Sequence, residues 1–188
     1  GFSVFGIDKN DKYTKNLANK VKPFYENGLD NLMNKHIGNN LKIVSSTKKF
    51  YVDIYIITVG TPITKKTGKP DISYIKTAVK TVAKTLKNGD LVILRSTVPI
   101  GCTRNEVIPC LEKISKLKAG LNFSVAFCPE RTSEGQALSE LRELPQIVGG
   151  FDDRSRELAT RLFSENTHTV IDVASLESAE MCKLLDNT

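Results

Sequence analysis

Residues 71–94, DISYIKTAVKTVAKTLKNGDLVIL, hold a complete helix-to-strand unit. Asp71, behind Pro70, is a natural N-cap, because its carboxylate accepts from the unpaired N–H groups of a first helical turn. Ile72, Ile75, Val79, Val82 and Leu86 then recur every three or four residues, which places them along one face of a helix. Gly89 ends that helix, and Leu91 to Leu94 is a short apolar run suited to a strand buried on both faces.

The same alternation runs outward in both directions. Upstream, Phe2 to Ile7 reads as a strand, followed by a lysine-rich helix from about Lys12. A loop through Pro23 and Gly28, a short helix over Leu29 to Ile37, a strand over Leu41 to Val44 and a buried strand over Asp53 to Val59 come next. Downstream, Val107, Leu111, Ile114 and Leu117 give a helix its apolar face, and Phe123 to Phe127 is a strand. Ile147-Val148 is a short strand, Ser155 to Phe163 a helix, Thr169 to Val173 a strand, and a last helix starts near Ser175. Strands alternating with helices predict an α/β, Rossmann-like, doubly wound and mostly parallel sheet. The pattern opens on a strand with no Gly-x-Gly-x-x-Gly turn before it, so this fold is expected to be truncated at its N-terminus, with the first strand and the Gly-rich turn upstream of Gly1.

Composition narrows the function class. No apolar run reaches the ~20 residues of a membrane helix, and no basic leader opens the chain, so a membrane partner is not expected. The net charge of +6 is uneven: residues 1–100 hold 17 Lys/Arg against 7 Asp/Glu, residues 101–188 hold 10 against 14. The lysines are scattered among Asn, Thr and Tyr and form no Arg-rich recognition helix, so no nucleic-acid partner is expected. A solvated lysine surface comes first, a phosphate-bearing ligand second. Four cysteines (Cys102, Cys110, Cys128, Cys182) without C-x-x-C spacing, and only two histidines, argue against a disulfide scaffold and against a metal site, and fit a reducing, cytoplasmic setting. Cys128, before Pro129, reads as a small strand-end packing residue rather than a nucleophile.

Polar clusters follow three of the apolar runs, where ligands of open α/β sheets bind. Asp8 ends the first strand, where Rossmann domains place a carboxylate against the adenosine ribose; a turn or helix cap is the plainer role. Gly60-Thr61-Pro62 closes the next with a residue that lets a ligand approach the backbone, or simply forms a turn. Ser96 and Thr97 offer hydroxyls for a nicotinamide, a sugar or a water, or cap the next helix. Glu130 and Glu134, four residues apart with Arg131 between them, are paired carboxylates suited to acid/base work, or solvated loop residues. Lys183 and Asn187, four apart on the last helix, share a face and present two donors for an oxyanion, or an exposed surface.

In this order, V-G-T-P, G-K-P-D-I-S-Y, G-D-L-V-I-L-R-S-T-V-P-I-G, C-P-E-R-T-S-E-G-Q-A-L, I-V-G-G and A-E-M-C-K-L-L-D-N-T closely resemble the UDP-glucose/UDP-N-acetylmannosamine 6-dehydrogenase family of nucleotide-sugar dehydrogenases, over essentially the whole chain. Tyr25 to Leu29 is similar to the family's Y-E-P-G-L stretch, with Asn27 where proline is usual. The resemblance implies an NAD-dependent, four-electron oxidation of a UDP-sugar C6 alcohol to the carboxylate, through a cysteine thiohemiacetal and thioester. Carried onto this chain, Asp8 would hold the adenosine ribose. Gly60, Thr61, Pro62, Ser96 and Thr97 would line the cofactor. Thr97 and Glu130 would position water or relay protons, and Glu134 would assist thioester hydrolysis. Lys183 and Asn187 would stabilise oxyanions and, with Glu130 and Arg131, contact substrate.

The resemblance further implies an NAD-binding domain over 1–173 and, over 174–188, the start of a long helix connecting to a region that would bind UDP and carry the nucleophilic cysteine. None of the four cysteines here matches that nucleophile, so this chain alone is expected to be inactive. The full-length protein would be a homodimer through the connecting helix. Pro129-Glu130-Arg131 resembles the branch acting on UDP-N-acetylhexosamines, where UDP-glucose enzymes have P-E-F-L. UDP-N-acetylmannosamine is the first choice, with the gluco and galacto epimers next, its product feeding capsule or surface polysaccharide; the alternatives are a UDP-glucose 6-dehydrogenase and a non-catalytic NAD-sensing Rossmann module.

Overall fold

A computed structural model describes residues 1–45, 51–64, 66 and 68–186. The chain folds as two compact units, one of residues 1–50 and 132–141, the other of residues 51–131 and 142–188.

The smaller unit pairs strand β1 (Val4–Ile7) in parallel with β2 (Leu41–Val44), Val4 opposite Leu41 and Ile7 opposite Val44. Helices α1 (Asp11–Ala18) and α2 (Leu29–His36) connect them. The Asn10 side chain caps α1 by accepting from the N–H groups of Lys12 and Tyr13.

In the larger unit five strands lie in the order β3 (Ile54–Ile57), β4 (Leu91–Leu94), β5 (Ser124–Phe127), β6 (Gln146–Gly150) and β7 (Val170–Val173). Successive side chains of a strand point to opposite faces, so β4 and β5 divide their residues between two cores. Val92, Leu94, Val125 and Phe127 face a cluster with residues of α3 (Ser73–Ala83), α4 (Ile108–Ser115) and the last helix, Leu176–Asp186. Leu91, Ile93, Ala126 and Cys128 face the other, built with Leu158, Ala159, Leu162 and Phe163 of the helix Asp153–Ser164. This two-sided burial is why the runs are continuously apolar rather than alternating.

Several expectations are adjusted. The strand expected over Asp53 to Val59 is shorter, and Ile56 is 49% exposed, because β3 is the edge strand and the helix Asp153–Ser164 packs over β4 to β7. Asp71 lies one residue ahead of the N-cap position, and its carboxylate accepts from the Ser73 N–H at 2.9 Å. A π-helical turn, Thr103–Val107, precedes α4. Helix α5 (Ala137–Glu143) is an element that periodicity does not single out, since seven residues barely repeat an apolar stripe. The following helices are α6 (Asp153–Ser164) and α7 (Leu176–Asp186).

Two strands run against the other three: β6 is antiparallel to β5, with Gly149 opposite Phe127, and β7 is parallel to β6. The amino end of β6 therefore lies beside the carboxyl end of β5. Helix α7 starts after β7 at the opposite edge and runs back toward that same edge, about 16 Å over its eleven residues. Gly149 makes the close packing possible, since a Cβ there would come within 2.8 Å of the Ala179 Cβ.

Candidate functional site

The carboxyl ends of β3, β4 and β5 are level, because Ile57, Leu94 and Phe127 stand opposite one another in parallel register. The segments that follow leave from one edge, and two hydrogen bonds extend the ladder past the strands: Arg95 N–H to the Ile57 carbonyl and Cys128 N–H to the Leu94 carbonyl, both 2.9 Å. The Thr61 hydroxyl donates to the Thr97 carbonyl at 2.7 Å and ties the first two ends together. Gly60 has open space where a Cβ would stand. The Pro62 carbonyl accepts from the Asp71 N–H at 2.8 Å, which fixes the turn leading to α3.

Ser96 stands out among these groups. Its residue is buried, and its hydroxyl is the one buried side-chain polar atom among the described residues without a hydrogen-bond partner. Buried hydroxyls are almost always paired, so this one calls for a partner that the described residues do not supply.

Arg95, one residue earlier, has only 7% exposure. Its guanidinium donates to Glu130 Oε2 at 2.5 Å and to Gln146 Oε1 at 2.9 Å, and lies 4.9 Å from the centre of the Phe163 ring. Glu130 is thus held by a buried cation, with its Oε1 accepting from the Arg131 N–H at 2.8 Å. Arg131 points elsewhere. Its Nε and Nη2 form a two-pronged pair with Asp186 on α7, at 2.5 and 3.2 Å, and its Nη1 donates to the Pro145 carbonyl. All its nitrogens are engaged within the unit, and the side chain fastens the last turn of α7 to the end of β5.

Helix α7 carries a further acid. Glu180 has no exposed surface, and its carboxylate accepts from the N–H groups of Gly101 and Thr103 at 2.5 and 2.8 Å and from the Thr103 hydroxyl at 2.6 Å. These donors sit at the start of the π-helical turn, where unpaired N–H groups attract an anion. Arg104 adds a fork to Glu177, with Nε 2.6 Å from Oε1. That pairing holds the Glu177 carboxyl below its ordinary range. Lys183 lies half-buried on the same helix, between Glu180 and Asp186. Asn187 lies outside the described residues.

The other expected residues belong to the smaller unit. Asp8 is exposed after β1 and accepts from the Asn10 N–H at 2.8 Å, the turn role foreseen beside the cofactor role. Glu134 is exposed in the loop before α5. That loop is held by Glu26, which has 4% exposure and accepts from the N–H groups of Gly135 and Leu138 at 3.0 and 3.3 Å. Gly135 has φ +88°, a left-handed conformation that favours glycine.

Arg95, Gln146, Glu180 and Glu26 are the residues that sequence reasoning missed. The available signal was an ionisable residue abutting an apolar run, as in Leu94-Arg95 and Ala179-Glu180, which demands a buried partner once the run is packed.

Burial pushes the Cys128 thiol up to about 12, and burial with Glu180 nearby pushes Cys102 to about 11. Both are thiols at neutral pH and poor nucleophiles, as the packing role read for Cys128 requires. Among the described residues no cluster of three or more His, Cys, Asp or Glu is placed to hold a metal, and no helix is long and apolar enough to cross a membrane.

The edge fits NAD on its own features: an unpartnered buried hydroxyl at Ser96 and open backbone at Gly60 suit a polar ligand lying across strand ends. The comparisons agree. Residues 1–167 match the model of the UDP-glucose/GDP-mannose dehydrogenase family, NAD binding domain. The chain is 35% identical over 191 residues to the UDP-N-acetyl-D-mannosamine dehydrogenase of Methanocaldococcus jannaschii, covering all of this chain and 43% of that protein. It superposes on the structure of the UDP-D-ManNAc dehydrogenase from Pyrococcus horikoshii with a TM-score of 0.94 at 31% identity, covering 100% of this chain and 44% of that one. For the GDP-mannose dehydrogenase of Pseudomonas aeruginosa the TM-score is 0.91 at 29% identity, with 100% and 44% covered. The chain thus spans less than half the length of these relatives. With an orphaned hydroxyl at the strand edge and a match over nearly its whole length, this chain belongs to the UDP-glucose/GDP-mannose dehydrogenase family, as its NAD-binding domain.

Proposed function

We propose that this chain is the cofactor-binding half of an NAD-dependent nucleotide-sugar 6-dehydrogenase that oxidises a UDP-N-acetylhexosamine, UDP-N-acetylmannosamine first, to its uronic acid. The observation that carries the cofactor role is the buried Ser96 hydroxyl without a partner, at the end of a strand tied to its neighbour through Thr61 and Thr97. The sugar follows from the names of relatives that match the chain end to end. Bound NAD supplies a hydride acceptor, used twice per alcohol taken to the carboxylate.

Ser96 gives a hydroxyl to the cofactor, and Gly60, Thr61 and Pro62 leave it room along the backbone. Asp8 accepts from the adenosine ribose. Thr97 and Glu130 orient the reacting hydroxyl or water, and Glu134 assists hydrolysis of the thioester formed on a cysteine elsewhere in the protein. Lys183 and Asn187 donate to the oxyanions. Arg131 contacts substrate beside Glu130, Lys183 and Asn187, and α7, which it holds through Asp186, continues as the connecting helix and homodimer contact of a cytoplasmic enzyme serving polysaccharide synthesis.

The test uses the full-length protein with NAD and a panel of UDP-sugars, following NADH formed per sugar consumed, with Glu134→Gln and Lys183→Ala alongside. Two NADH per UDP-N-acetylmannosamine, lost in both variants, is the expected result. Two per UDP-glucose alone moves the substrate to the glucose branch. No NADH with any sugar, with NAD still bound, makes the chain a cofactor-sensing module and overturns the enzyme reading.

A further inference from the structure

We propose that Arg95 is a positioning residue for Glu130, acting through a closed ring of hydrogen bonds that Gln146 completes. The proposal rests on the reading of Glu130 as the group that orients the reacting hydroxyl or water. The ring is built entirely within the larger unit. Arg95 Nη1 donates to Gln146 Oε1 at 2.9 Å, and Gln146 Nε2 donates to the Pro129 carbonyl at 3.1 Å. Pro129 leads into Glu130, whose Oε2 returns to Arg95 Nη2 at 2.5 Å. The backbone carbonyl before Glu130 and the carboxylate of Glu130 are therefore fixed by the same pair of side chains.

Each member suits the task. A guanidinium is a rigid planar fork, so serving Gln146 with one arm fixes the direction of the other; a lysine ammonium has no such geometry. Gln146 is itself locked, because its amide nitrogen also donates to the Ile147 carbonyl at 2.8 Å. The Phe163 ring, 4.9 Å from the guanidinium, keeps the arginine in place. Arg131 N–H holds the second carboxylate oxygen at 2.8 Å. The reversed direction of β6 is what brings Gln146 to the end of β5.

The experiment is a double-mutant cycle in the full-length enzyme, with crystal structures of the variants. Arg95→Lys keeps the charge and loses the fork. Gln146→Met keeps the volume and opens the ring, and serves if Arg95→Lys does not fold. Displacing a reacting group by about 1 Å costs about 100-fold, so Arg95→Lys should lower kcat by about that factor and Gln146→Met by about 10-fold, while KM for NAD stays within about threefold. Because Arg95 acts through Glu130, Arg95→Lys combined with Glu130→Gln should be no slower than Glu130→Gln alone. The structures should show the Glu130 carboxylate moved and β4 unmoved. Multiplying rate losses, a KM for NAD that rises as kcat falls, or a carboxylate unmoved in both variants would each overturn the proposal. If the parent enzyme oxidises no nucleotide sugar, the functional reading fails on that ground, and the structures alone decide whether Arg95 positions Glu130.

Discussion

The two units of this chain treat their carboxylates differently. In the larger unit Glu130 and Glu180 are met by side chains and backbone from distant segments: Arg95 for the first, Gly101 and Thr103 for the second. In the smaller unit Glu26 accepts from the backbone N–H groups of Gly135, in the loop before α5, and Leu138, in its first turn, and Asp8 accepts from an N–H two residues on. All but Asp8 join segments that folding must bring together; what separates the units is that the larger one supplies side-chain donors, the Arg95 guanidinium and the Thr103 hydroxyl, whereas the smaller one supplies backbone N–H groups. In the larger unit the Ser96 hydroxyl is the one buried side-chain polar atom left without a partner among the described residues.

The sharpest test of this contrast replaces the two buried acids. Glu180→Ala removes three hydrogen bonds to a charged group and strands two buried N–H groups, a loss of about 3–5 kcal/mol. Glu26→Ala loses two bonds from backbone donors, about 1–2 kcal/mol. Urea titrations of both variants would show the order, and equal losses would erase the distinction.

Gly149→Ala comes next. Its methyl would press on the Ala179 Cβ and the Ser175 carbonyl, overpacking the contact between α7 and β6 by about 1–3 kcal/mol. A thermal midpoint unchanged from wild type would mean that α7 does not lie against β6.

Ser96→Ala should carry the opposite sign. Removing an unpaired buried hydroxyl leaves stability unchanged or raises it by up to about 1 kcal/mol, while NAD binding by calorimetry weakens several-fold. Lost stability would mean that the hydroxyl has a partner in the free protein.

The smallest effect is a pH dependence. Glu177 titrates below its ordinary value, chiefly through its hydrogen bond with Arg104. A carboxyl lowered by folding stabilises above its unfolded pKa, and that contribution disappears as pH falls through the folded value. Arg104 is substantially exposed, so solvent screens the pair to a few tenths of a kcal/mol. Glu177→Gln should therefore lower stability slightly at pH 7, with the difference from wild type shrinking as pH falls through the lowered folded value, read from denaturation midpoints across that range.

Much of the architecture is legible in local pattern. The stripe from Ile75 to Val82 is a helix facing the core, and Leu91 to Leu94 is buried on both sides, because side-chain period and two-sided burial are properties of the segment itself. Candidate site residues were legible as residue types at strand ends, and the level register of β3, β4 and β5 puts three of those ends on one edge. Cys128 read as packing, and its burial and raised thiol agree.

Only the tertiary structure decided which polar residues are free and which are spoken for. Arg131, which the resemblance sets against substrate, is paired in the structure with Asp186 fifty-five residues away. Arg95 and Glu180 drew no role from sequence, because the value of a buried charge depends on partners such as Gln146 and Thr103 that no local window contains. The direction of β6 was likewise invisible: its residues are as apolar parallel as antiparallel, and hydrogen bonding to β5 alone sets the choice. Sequence determined the strands, the helices and the chemistry offered at their ends, since these follow from periodicity and residue type. Structure decided how that chemistry is paired, since pairing depends on distances between segments far apart in the chain.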